Sequence, residues 1–119
     1  MQAIHFICKR EDGVNLKGLK FDKESKTFRS GDWDISVEDA QSLVGGWLYL
    51  HPDKASRSEF GGTVFGFETV VNTTKAHSER IILVVQKQQQ AIRLRWRGRD
   101  HAMAHSSGLV DADLPHEKG

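Results

Sequence analysis

Short stretches in which apolar and polar residues alternate recur along most of the chain, and this period of two predicts β-strands. Residues 3–8 place Ile4 and Phe6 on one face of such a strand and His5 on the other. Residues 81–85 are continuously apolar, which indicates a central strand buried on both faces. Further strands are predicted at residues 19–21, 27–29, 47–51, 63–71 and 91–97, and residues 32–35 show a weaker alternation of the same kind.

One segment shows the spacing of a helix. Ser36 precedes Glu38 and Asp39, an arrangement typical of an N-terminal cap with acidic residues in the first turn. Apolar residues follow at helical spacing, and two glycines beginning at Gly45 end the pattern. We therefore predict one short helix near residues 36–44. The fold class is mostly β (α+β): a small, partly open β-barrel of six or seven strands with this helix at one end.

Length and composition predict one domain. The chain has 119 residues, of which 38% are hydrophobic, enough for a single core. We place the domain at residues 1–105 and expect a loosely ordered tail at residues 106–119. Its one cysteine, Cys8, excludes a disulfide within the chain. No signal peptide or membrane span is recognised, so a cytoplasmic location is predicted.

The basic charge is concentrated in one part of the chain. The net charge is +1, yet residues 75–105 hold 7 Lys and Arg against 2 Asp and Glu. A strand at residues 91–97 would point Ile92, Leu94 and Trp96 inward. The same strand would point its basic side chains outward, with Lys87 beside them: Arg93, Arg95, Arg97 and Arg99.

This arginine strand has two interpretations. Guanidinium groups bind phosphate in a bidentate manner, so a nucleic-acid backbone would neutralise such a row of charges. Alternatively, the arginines form a solvated face that acidic residues on neighbouring strands neutralise, and Asp32 and Asp34 alternate in a way that suits this role. Lys75, Arg80 and His77 would extend the basic surface.

A second group of residues suggests a pocket. Trp47 and Tyr49 share one face of their strand, which leads into a loop that carries His51 and Arg57. With Phe60, the two aromatic rings would form the apolar side of a pocket, and the loop would supply hydrogen bonds. The alternative is that these aromatic residues belong to the core.

Catalytic motifs are not found in the sequence. It contains no P-loop, dinucleotide-binding motif, nucleophile elbow or zinc-protease motif. His101 and His105 are four residues apart and would share a face on a helical turn, but zinc needs further ligands. We assign no metal site and no cofactor.

Residues 44–87 resemble the middle of PUA-like domains, in particular those of the EVE type. The similarity is in the order of a strand, a polar loop, a glycine-flanked strand, a variable loop and an apolar strand. It is carried by Gly62, Val64, Gly66 and Val70, followed by residues 81–85. The resemblance implies a pseudo-barrel that binds RNA, or a modified base of DNA, in a pocket.

Three hypotheses about function follow. The first is a non-catalytic domain that binds DNA or RNA through the arginine strand and the aromatic pocket. The second is a protein-interaction module, such as a regulatory or immunity-type bacterial protein, that docks an acidic partner or pairs through a sheet edge. The third is a small metal-dependent enzyme that uses His101 and His105.

Overall fold

The fold is known from a computed structural model that describes residues 2–9, 16, 18–53, 55–71, 79–96 and 106–111. The predicted mostly β class with one short helix is confirmed. In chain order the elements are β1 (Gln2–Ile7), β2 (Leu19–Asp22), β3 (Thr27–Trp33), α1 (Val37–Leu43), β4 (Trp47–His51), β5 (Phe60–Val71), β6 (Glu79–Lys87), a 3-10 turn (Gln89–Ala91) and β7 (Ser106–Asp111).

The seven strands form one mixed sheet in the order β2-β3-β6-β5-β4-β1-β7. β1 and β4 are parallel, and the other neighbouring pairs are antiparallel. The sheet does not close, so β2 and β7 form its two edges. Among the described residues, no helix combines the length and the apolar composition that crossing a membrane requires.

Alternation along β1 and β4 divides the sheet into two faces. One, the helix face, carries the main core, in which α1 contributes Ala40 and Leu43. This core also includes Ile4, Phe6, Leu48, Leu50, Phe60, Val64, Ile81, Leu83 and Val85. The other, which we call the aromatic face, carries Ala3, His5, Trp47, Tyr49 and His51.

The predicted helix signals act as expected. The Ser36 hydroxyl accepts a hydrogen bond of 3.0 Å from the Asp39 backbone N–H and so caps the first turn of α1. Gly45 adopts a φ of 85° immediately after the helix, a conformation that glycine reaches without a steric penalty. The helix therefore ends where the two glycines predict.

Two details of the strands also match or extend the sequence prediction. The register between β5 and β6 shifts between Val64 and Gly66, so the glycine inside β5 marks a β-bulge. At the other end of the chain, β7 occupies part of the predicted loose tail and pairs with β1. The structure therefore has a paired strand at residues 106–111, within the predicted tail, and the domain boundary stays a prediction; residues 112–119 lie outside the described part of the chain.

Candidate functional site

Residues 88–96 cover the aromatic face, but they do not form the predicted strand. A 3-10 turn occupies Gln89–Ala91, and Arg93 then adopts a φ of 70°, outside the φ range of regular strands. Leu94 is buried while Arg93 and Arg95 are exposed, so burial alternates as expected although the backbone is irregular. We call residues 88–96 the covering segment.

Ser58 fixes the covering segment to the sheet. Its backbone carbonyl accepts from the Arg93 N–H at 2.7 Å, and its N–H donates to the Leu94 carbonyl at 2.8 Å. Its hydroxyl donates to the Ala91 carbonyl at 2.7 Å and accepts from the Leu94 N–H at 3.0 Å. One buried serine therefore satisfies polar groups that the irregular backbone would otherwise leave without partners.

Gly61 allows the covering segment to lie close to β5. A Cβ atom at this position would lie 2.6 Å from the Ala91 Cβ and 2.7 Å from the Ala91 carbonyl oxygen. Only glycine therefore permits this approach, which also brings the Gln88 N–H within 3.0 Å of the Gly61 carbonyl.

Replacing Ser58 with alanine is expected to lower the free energy of unfolding by about 1–3 kcal/mol, because the Ala91 carbonyl and the Leu94 N–H each lose a buried partner. Urea denaturation measures this change. Ser42→Ala is a matched control, since Ser42 is exposed and its hydroxyl bonds only the Glu38 carbonyl within the helix. Equal, small effects of the two substitutions would contradict the role given to Ser58.

A pocket lies where the loop after β4 meets the covering segment. Its volume is about 310 Å³, and it is lined by Ala55, Ser56, Arg57, Arg95 and Trp96. Among these described lining residues two are basic and none is acidic. Within the part of the chain that the structure describes, neither arginine forms an ion pair with a carboxylate. The pocket therefore combines two guanidinium groups with one indole ring.

Stacked and tilted rings continue from this pocket along the aromatic face. The Trp96 ring centroid lies 5.2 Å from that of His51 and 5.7 Å from that of His5. His5 stacks on Tyr49 at 4.6 Å, and Tyr49 lies parallel to Trp47 at 6.3 Å. The predicted Trp47–Tyr49 pair is thus present, but the rings of His5 and His51 lie between it and the pocket.

His5 and His51, which we call the histidine pair, form a buried hydrogen bond. Their Nδ1 and Nε2 atoms, respectively, are 2.7 Å apart, and both residues are 0% exposed. The His51 Nδ1 lies 2.9 Å from the Ser56 carbonyl oxygen, which can only accept, so this nitrogen carries a hydrogen. In the neutral pair, His51 Nε2 is therefore the acceptor and His5 Nδ1 is the donor.

Burial lowers the pKa of His51 below its usual value, and the bond to Ser56 and the charge of Asp53 only partly oppose this effect. The unfolded chain then binds a proton at a higher pH than the folded chain. Lowering the pH below 6.5, the ordinary histidine pKa, should therefore destabilise the fold.

The expected loss is at most about 1.4 kcal/mol per pH unit for this one residue, measured by urea denaturation across the histidine range. A His51→Gln variant lacks the titrating group, so the free energy of unfolding should depend less on pH in the variant. An undiminished pH dependence would show that other groups cause the acid destabilisation.

Some of the predicted site residues line the pocket, and others do not. Arg57 and Arg95, which belonged to separate predicted groups, line it together, and Trp96 joins them rather than the core. Phe60 packs against Phe28 at 5.0 Å on the helix face, away from the pocket. Lys87 is exposed at the end of β6, and by strand alternation it lies on the side of Val85.

The remaining predicted basic residues are distributed differently. Arg93 is exposed but does not line the pocket. Arg80 is buried at the start of β6, and its Nη1 lies 3.7 Å from Asp34 Oδ1. Asp34 thus lies beside this buried arginine. Outside the described residues lie Lys75, His77, Arg97 and Arg99.

His5 was not predicted as a site residue. The signal available was a histidine inside an apolar strand, at a position that alternation places on the face opposite to Ile4 and Phe6. The sequence does not show that β1 pairs in parallel with β4, and this pairing brings His5 beside His51.

Within the described residues, no group of three or more histidine, cysteine or carboxylate side chains is placed to hold a metal ion. His101 and His105, the residues of the metal hypothesis, lie outside the described part of the chain. Cys8 is buried in the main core.

Comparison of the chain with protein-family models, with curated protein sequences and with solved structures gives no significant match. The resemblance to PUA-like domains therefore stays a prediction, and the argument about function rests on the pocket itself.

Proposed function

We propose that this protein is a non-catalytic domain that binds single-stranded nucleic acid, with one nucleotide held in the pocket of Arg57, Arg95 and Trp96. The observation that carries the proposal is that two arginines and one indole ring line the same concave site, with no acidic residue among its described lining residues.

Each part of a nucleotide has a suitable partner in this pocket. Guanidinium groups bind phosphate oxygens through charge-assisted hydrogen bonds, which are stronger than neutral ones. A tryptophan ring binds the face of any base by stacking, with little dependence on sequence. Arg57 and Arg95 come from two different segments, one from the loop after β4 and one from the covering segment, and Trp96 adjoins Arg95.

The shape of the site favours a single strand over a duplex. At about 310 Å³ the pocket is at the lower end of the range for small-ligand sites and suits one base with its phosphate. A base must leave its duplex stack before it can lie against an indole ring, whereas the bases of a single strand are already accessible.

The rigid surroundings also support a binding site. Ser58 holds the covering segment through four hydrogen bonds next to Arg57, so Arg57 and Arg95 are attached to backbone that is fixed before a ligand arrives. Preorganisation of this kind lowers the entropic cost of binding.

Fluorescence anisotropy tests the proposal directly. Labelled oligothymidylate, the matching RNA and a duplex of equal length are titrated with the protein at low and moderate salt. The expected result is salt-dependent binding with preference for a single strand. No binding at low salt, where phosphate contacts are strongest, would contradict the proposal and favour the protein-interaction hypothesis.

A further inference from the structure

The histidine pair lies directly behind the proposed nucleotide pocket and shares two residues with it. Ser56 lines the pocket, and its carbonyl accepts the hydrogen bond from His51 Nδ1. Trp96 also lines the pocket, and its ring contacts the rings of both His51 and His5. A positive charge on the histidine pair would therefore lie close to a ligand held in the pocket.

The geometry of the pair allows it to take up one proton but not two. With one added proton, a single hydrogen still lies between His5 Nδ1 and His51 Nε2, and the bond is retained in charge-assisted form. A second added proton would put a hydrogen on both facing nitrogens, which are only 2.7 Å apart. The pair is thus a site for one proton.

Groups from each neighbouring element act on that proton. The loop after β4 provides Asp53, whose negative charge favours the charged form of His51. The same loop and the covering segment also provide Arg57 and Arg95, two cations that line the adjoining pocket.

The strands provide the remaining groups. Lys9, just after β1, lies near enough to Asp53 to weaken its effect. Tyr49 of β4 stacks on His5 at 4.6 Å and favours a cationic ring through its π face. On β7, the hydroxyl of Ser107 accepts a hydrogen bond from the backbone N–H of His5, and this side chain is uncharged.

We propose that the pocket and the histidine pair are coupled, so that binding of a nucleic-acid phosphate by Arg57 and Arg95 is accompanied by uptake of one proton on the pair. The proposal rests on the function proposed above. A phosphate bound by the two arginines adds a negative charge in a pocket that shares Ser56 and Trp96 with the pair, and this charge favours the protonated pair. By linkage, the pocket then binds its ligand more tightly as the pH falls.

Isothermal titration calorimetry of the unmodified protein with oligothymidylate measures this proton. Neither thymine nor a phosphodiester titrates across the histidine range, so proton uptake comes from the protein. Titrations at one pH in two buffers with different ionisation enthalpies give the number of protons bound per complex. We expect up to about one proton near the lower end of the histidine range and none near about pH 8, with affinity rising by up to about tenfold per pH unit.

A His51→Gln variant assigns the proton to the pair. Thermal melting first shows that the variant is folded, and His5→Gln replaces it if it is not. The coupling predicts that either variant loses the proton uptake and the pH dependence of affinity, whatever its affinity at high pH. Uptake that persists unchanged in a folded variant belongs to other histidines and overturns the proposal.

The two proposals fail in different ways. Binding of oligothymidylate without proton uptake at any pH would overturn the coupling and leave the proposed function intact. If oligothymidylate did not bind at any pH in the range, both the proposed function and the coupling would be overturned.

Discussion

Replacing Arg57 and Arg95 together with glutamine is expected to weaken binding of single-stranded oligonucleotide by about 100-fold or more, because two charge-assisted contacts to phosphate are lost. The salt dependence should fall as well, by about 1.4 in the slope of log affinity against log salt, since each phosphate contact on a single strand contributes about 0.7. Anisotropy titrations at several salt concentrations give both quantities.

A matched control removes the same charge elsewhere. Lys20 and Lys23 are exposed, at β2 and in the turn that follows it, and β2 forms the edge of the sheet opposite to the β1 and β7 side. Changing both to glutamine alters the net charge equally but leaves the pocket intact. If the lysine variant lost as much affinity as the arginine variant, binding would depend on overall charge and not on the pocket.

Trp96→Ala is expected to weaken binding by about 1–3 kcal/mol, or roughly 5-fold to 150-fold, through loss of base stacking. Its effect should be nearly independent of salt, because an indole ring releases no counterions. Trp96→Phe should recover much of the affinity, since a phenyl ring still stacks. The same anisotropy assay measures all three proteins.

Phe65→Ala is the control for this second prediction. Phe65 is 58% exposed at the bulge of β5, so its removal takes away an accessible aromatic ring without changing the pocket. Equal losses in the Trp96 and Phe65 variants would contradict a specific stacking site. Trp96 also packs against the histidine pair, so thermal melting of each variant must show that the protein remains folded.

Most of the sheet could be predicted from the sequence because its strands either alternate between apolar and polar residues or, as in β6, are continuously apolar. β1, β4 and β6 bury every second side chain in the main core, and the helix has both a cap and a glycine stop. β7 was missed because Ser106, Ser107 and Gly108 carry no apolar alternation. Its place in the sheet comes from pairing with β1, which is a tertiary contact.

The covering segment shows why alternation alone is not enough. Ile92, Leu94 and Trp96 have the spacing of a strand, and Leu94 is indeed buried. The conformation is set instead by Ser58, through hydrogen bonds to a distant part of the chain. No local pattern predicts those hydrogen bonds. Among the described arginines of the predicted row, Arg95 lines a pocket together with Arg57, and Arg93 does not.

The sequence predicted which kinds of side chain would come together, but not how they are arranged. Arginine and aromatic side chains were interpreted as a nucleic-acid site, which stays a prediction, and Arg57 was assigned to a pocket. Phe60 was assigned to the same pocket, but it packs on the opposite face because it pairs in register with Leu50, whose side chain is in the main core. Such a distinction needs the register of two neighbouring strands.

The most direct test of the central claim is a proton–nitrogen NMR titration of the protein with oligothymidylate, read at the indole signals. The chain has three tryptophans, and Trp33 is an internal control because its Nε1 donates to the Ser30 hydroxyl at 3.0 Å, between residues of the β2–β3 side of the sheet. The account predicts that the Trp96 signal shifts progressively to saturation while the Trp33 signal stays in place. An unchanged Trp96 signal in a protein saturated with oligonucleotide would contradict it.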